Sequence, residues 1–220
     1  MPSLIKDLLA NGKTELLLFV PICFMHRFAA KAIKDEDYVA GQHIEQFISE
    51  LYEDNIPDIK NQVTFIKGIL KQFKVYLGVQ YVDVLYIEKE TSQYFALFFF
   101  SNSKRGFHKM LEAKWSIDEN DGRAFSVSKS AITPSLFDSI DHEHYTYLLY
   151  KEIVARNGMT NQEVFDFGLA NNHLPKHSKK VPDELKRENK IVLLTETGST
   201  PLGYYLEDNH SNKIFIKPIE

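Results

Sequence analysis

The sequence predicts an α/β chain in two parts, an α/β domain over residues 1–130 and a winged-helix domain over residues 135–220. Three features carry that expectation. Glu15 to Pro21 (ELLLFVP) is apolar at consecutive positions, the pattern of a strand buried on both faces of a parallel sheet. Two further β-rich runs, Tyr81 to Glu88 and Gln93 to Ser101, lie between amphipathic helical stripes. From Tyr145 onward, three helical segments precede two strands, which is the winged-helix plan.

Taken in order, Ser3 to Ala10 reads as a helix, with Leu4, Ile5, Leu8 and Leu9 on one side and Asn11-Gly12 as its stop. The Glu15 strand follows, so the chain opens helix first. Between Gly41 and Lys74 two stripes appear, Ile44, Phe47, Ile48 and Leu51, then, after Pro57, Ile59, Val63, Ile66, Leu70 and Phe73. The polar Lys89-Glu90-Thr91-Ser92 joins the two β-rich runs as an antiparallel hairpin. Lys104 to Trp115 carries Phe107, Met110, Leu111 and Trp115 on one face, a helix expected to pack on that hairpin. The polar stretch Asp118 to Pro134, with a short strand at Ala124 to Val127, marks the boundary.

The second part begins with a helix over Tyr145 to Arg156, closed by Asn157-Gly158. Thr160-Asn-Gln-Glu163 has capping-box form and starts a second helix to about Ala170. A turn at Asn171 to Pro175 leads to a third helix, expected to be capped by Ser178, with Pro182 tolerated in its first turn. Lys190 to Thr195, Tyr204 to Leu206 and Lys213 to Lys217 then read as the extended segments of the wing.

Composition sets the outer limits. The 220 residues are 44% hydrophobic and 25% charged with a net charge of −4, which excludes a disordered, collagen-like or low-complexity chain. One cysteine, Cys23, can form neither an intrachain disulfide nor a thiolate metal cage, and it points to a reducing compartment. The longest apolar run, Leu16 to Met25, is interrupted by Pro21 and is far short of the roughly 20 residues a bilayer requires. The first residues lack the order of a signal peptide, so the expected location is the cytoplasm.

Three stretches carry a family likeness: Pro2-Ser-Leu-Ile-Lys-Asp-Leu-Leu9 with Glu15-Leu-Leu-Leu-Phe-Val-Pro-Ile-Cys-Phe-Met-His-Arg27, the strand Gln93-Tyr-Phe-Ala-Leu-Phe-Phe-Phe-Ser101, and Gly106-Phe-His-Lys-Met-Leu-Glu-Ala-Lys-Trp-Ser-Ile-Asp118. Together they resemble the C-terminal two-thirds of the three-Cys-motif partner proteins of bacteria and their mobile elements, with Trp115-Ser-Ile-Asp118 the most specific piece. The resemblance implies the rear half of a methyltransferase-like Rossmann domain, ending in the Glu15 strand and the two hairpin strands, followed by a winged helix. It also implies a glycine loop, an acidic residue and an Asp-Pro-Phe-Gly type segment upstream, which hold an adenosylmethionine-like site. None of these occurs in this sequence, so no cofactor is expected unless a missing front half supplies it. A complementing second chain, a shortened descendant and a fragment of a longer parent all fit that absence. The resemblance implies a three-Cys-motif protein as a partner, and a half sheet leaves an edge for a homo-oligomer or a complementing chain to cover.

The graded functional signal lies in the third helix and its approach. Lys176, Lys179, Lys180, Lys186, Arg187 and Lys190 against Asp183, Glu184 and Glu188 leave a local excess of three positive charges, with His173 and His177 beside them. In a winged helix this element faces a duplex and neutralises phosphates. The alternative is a solvated face of a protein-docking winged helix, and ten Lys and Arg against twelve Asp and Glu from Asp141 onward weigh toward it. His26 and Arg27, with Cys23, follow the Glu15 strand, where open α/β sheets bind ligands. Asp141-His-Glu-His144 has metal-ligand residue types, but acids at a helix start are the more ordinary reading. Phe98-Phe99-Phe100 reads as core rather than a base-stacking platform, and Trp115 as an anchor of its helix. No nucleotide-loop or catalytic-triad spacing occurs. The sequence thus points to a non-catalytic accessory protein that binds nucleic acid, DNA before RNA. An enzyme subunit completing a methyltransferase-like site and a protein-docking module are the alternatives.

Overall fold

The computed structural model describes residues 2–32, 42–53, 60, 62–90, 93–117, 124–126, 142–208 and 210–219. The chain divides into two compact units, Met1–Phe137 and Asp138–Glu220. Among the described residues no helix is long and apolar enough to cross a membrane.

The first unit runs α1 (Pro2–Leu9), β1 (Leu16–Val20), α2 (Ile22–Ala32), α3 (Gln42–Tyr52), α4 (Gln62–Leu77), β2 (Tyr81–Glu90), β3 (Gln93–Ser101), α5 (Lys104–Ile117) and β4 (Ala124–Ser126). Its sheet has the order β1-β3-β2-β4. β1 and β2 both run antiparallel to β3, and β4 runs parallel to β2. β1, β2 and β4 therefore share one direction and β3 opposes them. The same-direction pair β1 and β2 is connected through α2, α3 and α4, the helical crossover that such strands need. The expected hairpin is present as β2 and β3; its polar residues Thr91 and Ser92 lie outside the described residues.

Alternation along the strands sorts the core. Val82, Val84 and Tyr86 of β2 and Ala96, Phe98 and Phe100 of β3 face the same way and bury against α1 to α4. Phe73 of α4 is the hub, edge-on to Phe98 at 5.4 Å and to Phe100 at 5.0 Å. On the opposite face α5 covers β2 and β3: Tyr81 stacks on Phe107 at 4.7 Å, Phe99 lies 6.2 Å from Phe107, and Trp115 is buried in its last turn. Lys114 of α5 donates to Asp83 of β2 in a buried ion pair, so each charge is compensated. The run Phe98-Phe99-Phe100 is thus core from both sides.

β1 departs from expectation. It is neither buried on both faces nor paired to a parallel neighbour: it pairs antiparallel with β3, and Leu17 and Phe19 are 56% and 55% exposed. The reason is coverage, because α5 packs chiefly on β2 and β3, while among the described residues Leu17 and Phe19 on that face stay exposed. Consecutive apolar residues do not distinguish that half-covered strand from a fully buried one.

The second unit contains α6 (His142–Ala155), β5 (Met159–Thr160), α7 (Asn161–Ala170), α8 (Pro175–Ser178), α9 (Lys180–Arg187), β6 (Ile191–Thr195) and β7 (Ile214–Pro218). β5, which the sequence reading missed for its two-residue length, pairs antiparallel with β7, and β7 with β6, in the order β5-β7-β6. The Asn157-Gly158 stop holds, with φ of 54° and 124°. Tyr204 to Leu206 is not a strand, although Tyr204 and Leu206 are buried.

Candidate nucleic-acid interface

The second unit builds its surface outward from the cap of α7. Thr160 and Glu163 form the capping box that their spacing announces, and hydrogen bonds from Thr160, the backbone amide foremost, hold the Glu163 carboxyl below its ordinary range. Asn161, the next residue, is buried and reaches across to the segment between β6 and β7. Its Nδ2 donates to the carbonyls of Tyr205 at 3.2 Å and Asn212 at 3.0 Å, while Oδ1 accepts from the Ile214 amide at 3.2 Å. This one side chain fixes the segment between β6 and β7 to the first turn of α7. Its only signal in the sequence is a polar residue just inside a helix, where Asn is unremarkable.

At the other end of α7, Gly168 allows α8 to approach. A methyl group there would sit 2.3 Å from Ser178 Oγ, which is hydrogen-bonded to Tyr145 Oη of α6 at 2.6 Å. Ser178 is therefore a buried tie between helices and not the expected cap. The third helix is in fact two pieces, and α9 starts after Lys179 with no side-chain cap. His173 is buried, stacks on Tyr145 at 3.7 Å and donates from Nδ1 to the Asn171 carbonyl at 2.6 Å. Burial pushes the Tyr145 phenol up to about 12. His177 is not a free cation of the surface either: its Nδ1 accepts from the Leu174 amide at 3.2 Å and so caps α8.

α9 turns Val181, Pro182 and Leu185 inward. Lys180, Asp183 and Arg187 consequently share the outer face at helical spacing, flanked by Lys186, and Arg187 Nε donates to the Asp183 carbonyl at 3.2 Å. Lys176, Lys179, Lys180, Lys186 and Arg187 are all exposed. Lys179, at the joint of α8 and α9, places its ammonium 5.7 Å from the ring centroid of Tyr205, and that ring stacks on His210 at 5.2 Å. Lys179 is thereby joined to the segment between β6 and β7 in one surface. Beside it lies a hollow of about 610 Å³ lined by Thr195, Thr197, Ser199, Tyr205, Asn212 and Lys213. Lys190 stands apart, paired with Glu188 at 2.7 Å and lying 5.7 Å from the Tyr150 ring centroid. Since that pair removes one charge of each sign, the local excess of three positive charges is unchanged.

The other candidates do not converge on a site. His26 and Arg27 were expected at the end of a strand, but they lie on α2, where His26 packs edge-on against Phe65 at 5.6 Å and Arg27 is exposed. Pro21 ends β1 and helix begins at once. Cys23 Sγ is 3.6 Å from Gln62 Oε1. Asp118 and Asp141 lie outside the described residues, and His144 is exposed on α6. Among the described residues no group of three or more His, Cys, Asp or Glu side chains could hold a metal ion. Comparison with protein-family models gives no match, and comparisons with curated proteins and with solved structures give none either.

Proposed function

We propose that this chain is a non-catalytic accessory protein that binds nucleic acid, duplex DNA before RNA, through α8, α9 and the segment between β6 and β7. The observation that carries the reading is the Lys179–Tyr205 contact, which makes the cationic helix face and the wing a single surface. Four helices, with α8 and α9 together in the place of a third, a short strand between the first two and a terminal antiparallel pair support a winged-helix reading of this unit. The five exposed cations fit phosphate oxygens, and the wing hydroxyls supply further donors. The test is an anisotropy titration of labelled duplex DNA and duplex RNA at a series of salt concentrations. Charge reversal at Lys179, Lys180 and Arg187 should flatten the log–log salt slope by about three, at roughly 0.9 per phosphate contact. Binding that is undiminished in the variant removes this face from the function, and no binding by the wild-type chain favours a docking role for the second unit.

A second reading has its own support: three strands of the first unit share a direction, helices cover both faces, and β1 ends the sheet among the described residues. That arrangement suits a unit completed by another polypeptide, as the likeness to three-Cys-motif partner proteins implies. On this reading the adenosylmethionine-like site is supplied by the other polypeptide rather than by the described residues of this chain. The turn after β1 is a single proline leading into α2, without the glycine that close approach of a backbone to a ligand requires.

A further inference from the structure

The hollow beside the Lys179–Tyr205 contact differs in chemistry from the cationic face of α9. Its volume of about 610 Å³ lies within the range of about 300–1,000 Å³ of small-molecule pockets. Glu196 and Lys213 are the charged residues among those that line it, and their charges cancel, so the hollow exerts no net attraction on a phosphate. Three hydroxyls converge in it: Thr195 Oγ1 is 3.0 Å from Thr197 Oγ1 and 2.8 Å from Ser199 Oγ, and the last two are 3.2 Å apart. Tyr205, half exposed, supplies an aromatic wall, and the same ring faces the Lys179 ammonium. The hollow therefore suits an uncharged, planar, polar group, next to cations that suit phosphates.

We propose that the hollow takes an unpaired base with an exocyclic amino group, cytosine above thymine, from a single-stranded end beside the bound duplex; this rests on the nucleic-acid reading above. A polyanion held by the lysines carries one kind of uncharged, planar, polar group, its bases. Within a duplex those are paired and stacked, so only an unpaired one can enter. Glu196, Thr197 and Ser199 are exposed, which leaves the hollow open to a base still joined to its strand. Each hydroxyl can donate or accept, whereas the Glu196 carboxylate only accepts, so Glu196 decides which base suits. The cytosine amino group donates to a carboxylate; thymine presents a carbonyl oxygen at the same position, which a carboxylate repels.

The test titrates the full chain against one labelled DNA duplex in three forms: blunt, with a short cytosine overhang, and with a thymine overhang of equal length. The two overhang probes carry the same phosphates, so their affinity ratio isolates the base. Wild type should bind the cytosine form at least about fivefold more tightly, the lower end of what one base-edge contact discriminates. Glu196→Ala should bring that ratio to about one. Because Glu196 is exposed and carries no positive charge, the variant should keep its fold and its affinity for the blunt duplex. If wild type binds none of the three probes, the nucleic-acid reading fails and this proposal fails with it. If the blunt duplex is bound but the overhangs are not distinguished, or if the cytosine preference survives Glu196→Ala, the proposal is overturned while the nucleic-acid reading stands.

Discussion

Asn161→Ala should uncouple the segment between β6 and β7 from α7. The substitution removes two donors and one acceptor at once, leaving the carbonyls of Tyr205 and Asn212 and the buried amide of Ile214 without the partners they have in the fold. A half-buried carbonyl that water can reach loses about 0.5 kcal/mol, and a buried amide about 1–3 kcal/mol, for a total of about 3 kcal/mol. Local helix preference works the other way, because Ala is favoured over Asn inside a helix by about 0.5 kcal/mol. The net loss is about 2.5 kcal/mol, which in a unit of this size lowers the thermal midpoint by about 10–20 °C. Calorimetry on the full chain reads that shift for the transition of the second unit. Hydrogen exchange locates it: the Ile214 amide should exchange at least about tenfold faster. Exchange at Phe165 and Leu169 inside α7 should change less, because the Thr160–Glu163 cap is untouched. A midpoint within a degree of wild type, with Ile214 still protected, would refute the claim that this side chain holds the segment between β6 and β7. If both that claim and the proposed function hold, nucleic-acid affinity should fall even though no cation has been removed.

Two further outcomes follow from the same interior. Gly168→Ala, normally a gain of about 1 kcal/mol in a helix, should instead cost about 2 kcal/mol in thermal or urea unfolding, because the added methyl displaces Ser178 Oγ from Tyr145; in a Ser178→Ala background the same change should become nearly neutral. Alkali should unfold the second unit early: Tyr145 is raised to about 12, and Tyr204 well above 10, both by burial. Their folded forms favour the neutral phenol, so stability is complete below the unfolded value near 10 and is lost as pH rises toward the folded values. Tyr145→Phe should narrow that loss, read as the thermal midpoint between about pH 9 and 11.

What could be read from the residues depended on whether the signal was local. The capping box at Thr160, the Asn157-Gly158 stop, the α3 and α4 stripes and the β2–β3 hairpin each follow from spacing within one or two turns of chain, and each is present. The features that were misread depend on a distant neighbour. β1 reads as doubly buried because nothing in ELLLFVP records that α5 packs chiefly on β2 and β3 and that Leu17 and Phe19 stay exposed. Ser178 reads as a cap because a serine before a helix usually is one, yet Tyr145 on another helix takes its hydroxyl. His26 and Arg27 were assigned to a strand end because a helix formed of ICFMHRFAAKA begins with the same apolar residues that end the strand.

The surface shows the same division between composition and placement. Counting charges over the whole second unit gives an excess of acids and argues against a polyanion, whereas the fold leaves Lys176, Lys179, Lys180 and Arg187 exposed, sets Lys179 against Tyr205 and ties Lys190 back to Glu188. A polyanion within a Debye length of roughly 8–10 Å responds to the near charges and only weakly to the far ones. If the proposed nucleic-acid binding holds, net charge governs how the unit behaves at low salt and long range, and the α9 face governs contact. Raising salt should remove the first effect before the second, so residual affinity near physiological ionic strength is the quantity that depends on Lys179 and its neighbours.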